Sequence, residues 1–167
     1  LSVLTAIEGD ITIRSSLLTS LMGLDNVAII GGGIDFWNNN SLIDLSGLNN
    51  VTSIGGDIWI SSNHALTSLS GLDNITSIGG DLEIKSSNAL INLTGLNNLV
   101  AIDGNLIIRD WVNGHPSLTS LAGLENLNAI GGDFRIEYND SLTSLMGLNS
   151  LTSVGGTLRI YSNNVLS

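Results

Sequence analysis

The chain has 167 residues and is 43% hydrophobic but only 4% aromatic and 12% charged, with 20 Gly, one Pro and no Cys. Five Lys and Arg against fifteen Asp and Glu give a net charge of −10, which cannot neutralise a phosphate track and excludes nucleic acid and anionic membrane surfaces as partners. Without Cys there is no disulfide and no thiolate metal site, and no apolar run reaches the ~18 residues of a membrane-spanning helix.

Taken in order, the chain opens late in a repeat, since Leu4-Thr5-Ala6-Ile7 corresponds to Leu127-Asn128-Ala129-Ile130, and it stops partway through another repeat at Ser162 to Ser167. Between these points a Gly-Leu pair recurs at Gly23, Gly47, Gly71 and Gly95, then after a four-residue delay at Gly123 and Gly147. The stretch Ile54 to Ser77 is matched position by position, 24 residues on, by the stretch from Ile78. The consensus is I-G-G-D-(I/L)-x-I-x-x-N-x-x-L-T-S-L-x-G-L-x-N-(L/I/V)-T-S.

Three short apolar stretches appear in each turn, with strand-like rather than helical spacing. The first is I-x-I: Ile11 and Ile13, Ile34 and Phe36, Ile58 and Ile60, Leu82 and Ile84, Leu106 and Ile108, Phe134 and Ile136, Leu158 and Ile160. The second is L-x-x-L, as in Leu66 and Leu69, and the third is (L/I/V)-x-x-I, as in Ile75 and Ile78. Gly-Gly and Gly-Leu corners separate them. The pattern predicts an all-β chain, a parallel β-solenoid with about three short strands per turn and roughly six to seven turns. At ~4.8 Å per row the rod is on the order of 30 Å long. One turn alone buries too little to offset the entropy of ordering it, so the turns must share burial with their neighbours. Residues 1–167 read as a single solenoid, uncapped at both ends, and as a segment of a longer protein.

Two departures break the rhythm. From Ile13 to Leu18 the loop is one residue short, which tightens one corner. From Ile108 to Leu118 it is four residues longer than usual and reads RDWVNGHPS, with Trp111, His115 and the only Pro. Insertions in a solenoid bulge from one face and leave the core register intact.

The alternation of L-x-I-x-x-N with L-x-x-L-x-G-L-x-N-L resembles a leucine-rich repeat, and more closely the receptor L-domain repeats of cell-surface receptors. It is also similar to the tandem L-T-S-L-x-G-L-x-N-L-T-S-I-G-G-D-L arrays of secreted bacterial and protist surface proteins. The resemblance covers residues 4–166. It implies a right-handed solenoid, an extracellular or cell-surface location, and contact with protein or glycan rather than catalysis. The disulfide-rich segments of animal receptors are absent.

Repeated polar columns are candidates for sites or for structure. Asn26, Asn50, Asn74, Asn98 and Asn126 form one column, and Asn39, Asn63, Asn139 and Asn163 another, with Ser87 substituting. Both are expected to be buried ladders whose amides satisfy backbone groups at the corners. Of the sequons beginning at Asn39, Asn50, Asn74, Asn92 and Asn139, Asn92 is the one expected to point outward and so to be open to glycosylation. Asp10, Asp57, Asp81 and Asp133 follow the Gly-Gly pairs. Only Asp57 and Asp81 stand in adjacent turns, so they are weak calcium candidates beside a default of corner capping.

The outward positions of the first strand vary most. They place Trp37 and Trp59 as diagonal neighbours, with Glu83, Arg109, Arg135 and Tyr161 on the same face and Trp111 in the insertion beside it. Exposed aromatics beside charges suit a protein or sugar partner. Catalysis has little to stand on: His64 and His115 lie in different loops, no Ser, His and Asp share a motif, and Asp35 and Glu83 are a carboxylate pair only in the loosest sense. The expectation is therefore a segment that is not an enzyme and has no cofactor, an extracellular module for adhesion to protein or glycan. A filament of copies stacked end to end is the first alternative. The second is an ice-binding face built on the Thr-Ser rows at Thr52-Ser53, Thr76-Ser77 and Thr152-Ser153, and at Thr67-Ser68, Thr119-Ser120 and Thr143-Ser144.

Overall fold

A computed structural model, which describes residues 3–109 and 117–167, is an all-β solenoid with one short and one longer strand in each turn. Numbered in chain order, the short strands are β1 (Ala6–Ile7), β3 (Ile29–Ile30), β5 (Ser53–Ile54), β7 (Ser77–Ile78), β9 (Ala101–Ile102), β11 (Ala129–Ile130) and β13 (Ser153–Val154). The longer ones are β2 (Ile11–Arg14), β4 (Ile34–Trp37), β6 (Ile58–Ser61), β8 (Leu82–Lys85), β10 (Leu106–Arg109), β12 (Phe134–Glu137) and β14 (Leu158–Tyr161). Each set forms its own seven-stranded parallel sheet in which every strand pairs with those of the turns before and after. No helix of the described residues is long and apolar enough to cross a membrane.

The I-x-I stretch becomes the longer strand because its period of two sends both aliphatics inward. Ile34 and Phe36, Ile58 and Ile60, and Leu82 and Ile84 are all at most 2% exposed. Register follows the repeat: Ile58 pairs with Leu82, Leu82 with Leu106 and Leu106 with Phe134. The last pairing crosses the long loop without slipping, so the four extra residues leave the core register unchanged, as expected of a solenoid insertion.

One expectation is corrected. The L-x-x-L stretch is not a third strand. Leu42, Leu45, Leu48 and Val51, like Leu66, Leu69, Leu72 and Ile75, recur every third residue and are all fully buried. A period of three cannot be met by a strand, which alternates. It is met by successive tight turns in which each N–H returns to the carbonyl three residues back: Leu66 to Asn63, Leu72 to Leu69, Ile75 to Leu72. Bonds still run between turns on this side, as from the Leu45 N–H to the Ser70 carbonyl at 2.8 Å and from Leu69 to Thr94 at 3.0 Å. The coil is three-sided with two sheets.

The core is one continuous aliphatic column, with Phe36 and Phe134 its bulkiest members. Strand β14, paired on one side only, is exposed at all four residues, with Leu158 at 57% and Ile160 at 40%.

The Gly-Leu corners hold glycine at φ between +103° and +115°. At Gly71 an added Cβ would also fall on the Leu45 carbonyl oxygen of the preceding turn, whereas at Gly23 nothing lies within 4 Å. Gly23→Ala therefore carries backbone strain alone, on the order of 1–3 kcal/mol, and Gly71→Ala carries strain plus overlap. Urea unfolding is expected to rank Gly71→Ala well below Gly23→Ala in stability; equal midpoints would refute this account of the corner.

Candidate functional site

The corner after each Gly-Gly pair is built around the side chain that follows it. Asp57 accepts the backbone N–H of Asp81 in the next turn through Oδ1 at 2.7 Å, and Asp81 accepts that of Asn105 at 2.7 Å. Asp10 does the same for Gly33 at 2.7 Å and Asp133 for Thr157 at 2.8 Å. Asn105 takes the carboxylate's place because its amide oxygen is an equally good acceptor, receiving the Asp133 N–H at 2.7 Å. Where the column carries a side-chain tie it uses an acceptor rather than a charge, which is why Asn105 stands among the aspartates, and Gly33 leaves one turn without the tie. The second glycine is required too: a Cβ at Gly80 or Gly104 would overlap the carboxylate oxygen of Asp57 or Asp81. Asp57 and Asp81 sit in this capping geometry. Among the described residues no cluster of three or more His, Asp or Glu is placed to hold a metal ion.

The asparagine columns differ from expectation in burial. Asn39, Asn63 and Asn139 are fully buried and link turns, the Asn63 Oδ1 accepting the Asn39 N–H at 2.9 Å and its Nδ2 donating to the Phe36 carbonyl at 2.8 Å. Asn26, Asn50, Asn74, Asn98 and Asn126 are exposed instead. Within that column Asn74, Asn98 and Asn126 still donate Nδ2 to the preceding turn, to the carbonyls of Asn49, Asp73 and Asn97, each at 2.7 Å. The corner bends so tightly that the amide reaches the carbonyl from outside the coil. Exposure of Asn50 and Asn74 also means that Asn92 is not the single outward sequon. Asn92 is half-buried, its Oδ1 accepting the Thr94 N–H at 3.0 Å.

The outer face of the long-strand sheet concentrates the chain's chemistry. The second and fourth residues of each strand point outward, and all five basic residues, Arg14, Lys85, Arg109, Arg135 and Arg159, occupy those positions. Three carboxylates, Asp35, Glu83 and Glu137, share them, so this face is the one place where bases outnumber acids on a chain of net charge −10. Each base is paired. Arg14 donates to Asp35, whose hydrogen bond and charge raise the guanidinium pKa further. Glu83 is held between Lys85 at 2.7 Å and Arg109 at 3.0 Å. Arg135 reaches Asp133 at 2.5 Å and Arg159 reaches Glu137 at 3.1 Å. Glu137 is only 3% exposed, so it lies beneath its neighbours despite its outward register. Arg159 also lies over the Tyr161 ring, 5.1 Å from its centroid, and Tyr161 meets Tyr138 edge to face at 5.6 Å.

Trp37 and Trp59 are 47% and 45% exposed. Trp59 pairs in register with Asp35 and Trp37 with Ser61, so the two indoles are diagonal neighbours, as expected. Between them opens a hollow of about 430 Å³ walled by Arg14, Asp35, Glu83 and Lys85. A second, of about 370 Å³, lies on the far side of Trp59 against Asp10, Thr12 and Asp57. The structure therefore brings Trp37, Trp59 and Glu83 together, joins Arg109 to them through Glu83, and places Arg135 and Tyr161 further along the same face. Trp111 and His115 lie outside the described residues. Reading from the sequence passed over Arg14, Asp35 and Lys85 as site members, although they stand in the same outward columns. For Arg14 and Asp35 the missing signal was charge complementarity between turns, which appears once the columns are set in register; Lys85 pairs with Glu83 on its own strand. The Thr rows are exposed, but Thr52, Thr67, Thr143 and Thr152 each donate Oγ1 to a carbonyl of the preceding turn at 3.2–3.3 Å, which commits the hydroxyl hydrogens to the coil.

Comparison with known proteins finds no protein family, no curated protein and no solved structure that matches this chain. The geometry of the face is what the functional reading rests on.

Two outcomes follow for the Gly-Gly corner. Asp57→Asn keeps the acceptor and is expected to hold stability within about 0.5 kcal/mol, whereas Asp57→Ala strands the Asp81 N–H and is expected to lose roughly 1–3 kcal/mol in urea melts; equal losses would remove the capping role. Asp133 behaves differently with pH. The Thr157 N–H first, and then the Arg135 guanidinium, hold its carboxyl below the ordinary value. The unfolded chain therefore takes up this proton at higher pH than the folded one. The contribution is fully present above about pH 4 and is lost as pH falls through the lower folded value. Asp133→Asn is expected to flatten melting temperature against pH in that acid range, and parallel curves for the two proteins would contradict it.

Proposed function

We propose that this chain is a non-enzymatic recognition segment of an extracellular surface protein, which holds a protein or glycan partner on the outer face of its long-strand sheet. One observation carries the reading: all five bases and two half-exposed tryptophans stand on a single sheet face, where Trp37, Trp59, Arg14 and Lys85 border two hollows, while the repeat elsewhere is assigned to corners and core. A rigid ladder beneath such a face presents side chains at fixed spacing, and aromatic and arginine anchors are the groups that dominate binding energy at interfaces. The repeat's resemblance to leucine-rich and receptor L-domain repeats supports the same reading, and with it the surface location.

Trp37→Ala and Trp59→Ala remove half-exposed side chains that point away from the core, so each is expected to leave the melting temperature close to that of the parent. On glycan and protein arrays the double variant is expected to lose at least about tenfold in binding, equivalent to ~1.4 kcal/mol. Array binding that matches the parent would remove this face from the function.

A further inference from the structure

Building on that reading, we infer that the hollow between Trp37 and Trp59 is a subsite for an uncharged oligosaccharide lying diagonally across the two tryptophans. The charges are the first reason. The four ionic groups at its wall are two bases and two carboxylates, Arg14 with Asp35 and Lys85 with Glu83, each base already paired with a carboxylate. An anionic partner meets bases that are neutralised, and a cationic partner meets carboxylates that are neutralised. A hydroxyl group, donor and acceptor at once, fits the lone pairs that each carboxylate keeps and the N–H groups that Arg14 and Lys85 keep.

The aromatic geometry is the second reason. The backbone positions of Trp37 and Trp59, two residues apart along the strand and one row apart across it, stand roughly 8 Å from each other. That is too far for one sugar ring to cover both and close enough for neighbouring rings of one chain. The polarised C–H bonds on the flat face of a pyranose meet the negative face of the indole. The walls extend over four consecutive rows, β2, β4, β6 and β8, about 14 Å along the axis at ~4.8 Å per row, the length of a short oligosaccharide. The wall combines two indoles with two ion pairs, which suits a polyhydroxylated chain whose rings carry flat apolar faces and hydroxyl edges.

The test is calorimetric titration with cellohexaose, laminarihexaose, chitohexaose and mannohexaose, and with a heparin-derived hexasaccharide as the anionic arm. Saturable binding of at least one neutral probe is expected. Its Kd should change less than about twofold between roughly 50 and 500 mM NaCl, because an uncharged ligand has no ion-pair attraction to screen. Trp37→Ala and Trp59→Ala should each weaken it at least about tenfold, and Trp59→Phe, which keeps a smaller ring, should weaken it less than Trp59→Ala; thermal melts confirm that each variant is folded. Failure of every neutral probe, binding of the heparin fragment alone, or unchanged affinity in both alanine variants would overturn the subsite. The two readings fail separately. Array binding that depends on Trp37 and Trp59 while no neutral probe binds overturns the sugar assignment and keeps the recognition face. Array binding that ignores both tryptophans overturns the face itself.

Discussion

Everything in this molecule depends on each turn being locked to the next at its corners. Strands of two and four residues form too few ladder bonds to fix a register unaided, and a slip of one residue would turn Ile58 and Ile60 out of the core. Polar side chains supply what the strands lack. Asp57 holds Asp81 after the Gly-Gly pair, Asn63 holds Asn39 at the end of the long strand, and Asn74 holds Asn49 after the Gly-Leu pair. Each bond spans one turn, so in the repeat that carries Asp57, Asn63 and Asn74 all three corners are tied directly to a neighbour, while Gly33 and Ser87 interrupt two of the columns. The glycines beside two of these corners follow from the ties: where the next turn's carboxylate or carbonyl comes this close, a Cβ has no room.

That locking divides the repeat into positions the coil uses and positions it leaves open. Inward aliphatics, corner glycines and the capping Asp and Asn side chains each have a partner in an adjoining turn. The second and fourth residues of the long strands do not have one imposed on them, and they range from Thr12 through Trp59 to Arg135. The face that varies is therefore mounted on the part of the molecule that varies least. Its side chains stand at positions set by parallel pairing rather than by loops, so the spacing of Trp37 and Trp59 along the sheet is set by the fold, and such preorganisation lowers the entropic cost of binding at a surface.

How much of this was legible in the sequence follows from which interactions act along the chain and which act across it. The spacing of 24 residues and the I-x-I stretches gave the solenoid and the inward column of Ile58, Leu82 and Leu106, because period and burial are local signals. The same local reading mistook Leu66, Leu69 and Ile75 for strand residues and left Leu72 in a Gly-Leu corner. Two of them three residues apart look strand-like, and only all four together display the period of a turn series. Burial of the Asn74 column was misjudged because an amide satisfies a backbone carbonyl equally well from inside or outside a corner, and sequence spacing does not distinguish the two. Trp37 and Trp59 were placed correctly by alternation alone. Arg14 and Asp35 were passed over because each has its partner one turn away, which no short window along the chain contains, whereas Lys85 and Glu83 stand two residues apart on β8 and were within reach of such a window.

The ion pairs of the outer face sharpen the distinction between holding the coil and shaping its surface. Exposed pairs of this kind contribute roughly 0–1 kcal/mol each, less than a single buried leucine of the core at about 2–5 kcal/mol. Lys85, Arg109 and Glu83 form a three-member cluster across two rows, and Arg14 and Asp35 bridge two more, yet the register of those rows is already set by Ile60, Ile84 and the corner ties. The pairs are thus nearly redundant for folding. Their effect is on the surface: they bring every base of an acidic chain onto one side, cancel most of that charge locally, and leave two indoles standing between neutralised polar walls. A face whose charges cancel in place presents hydrogen-bonding groups rather than net charge, and that character arises from the pairing itself rather than from the number of charges present.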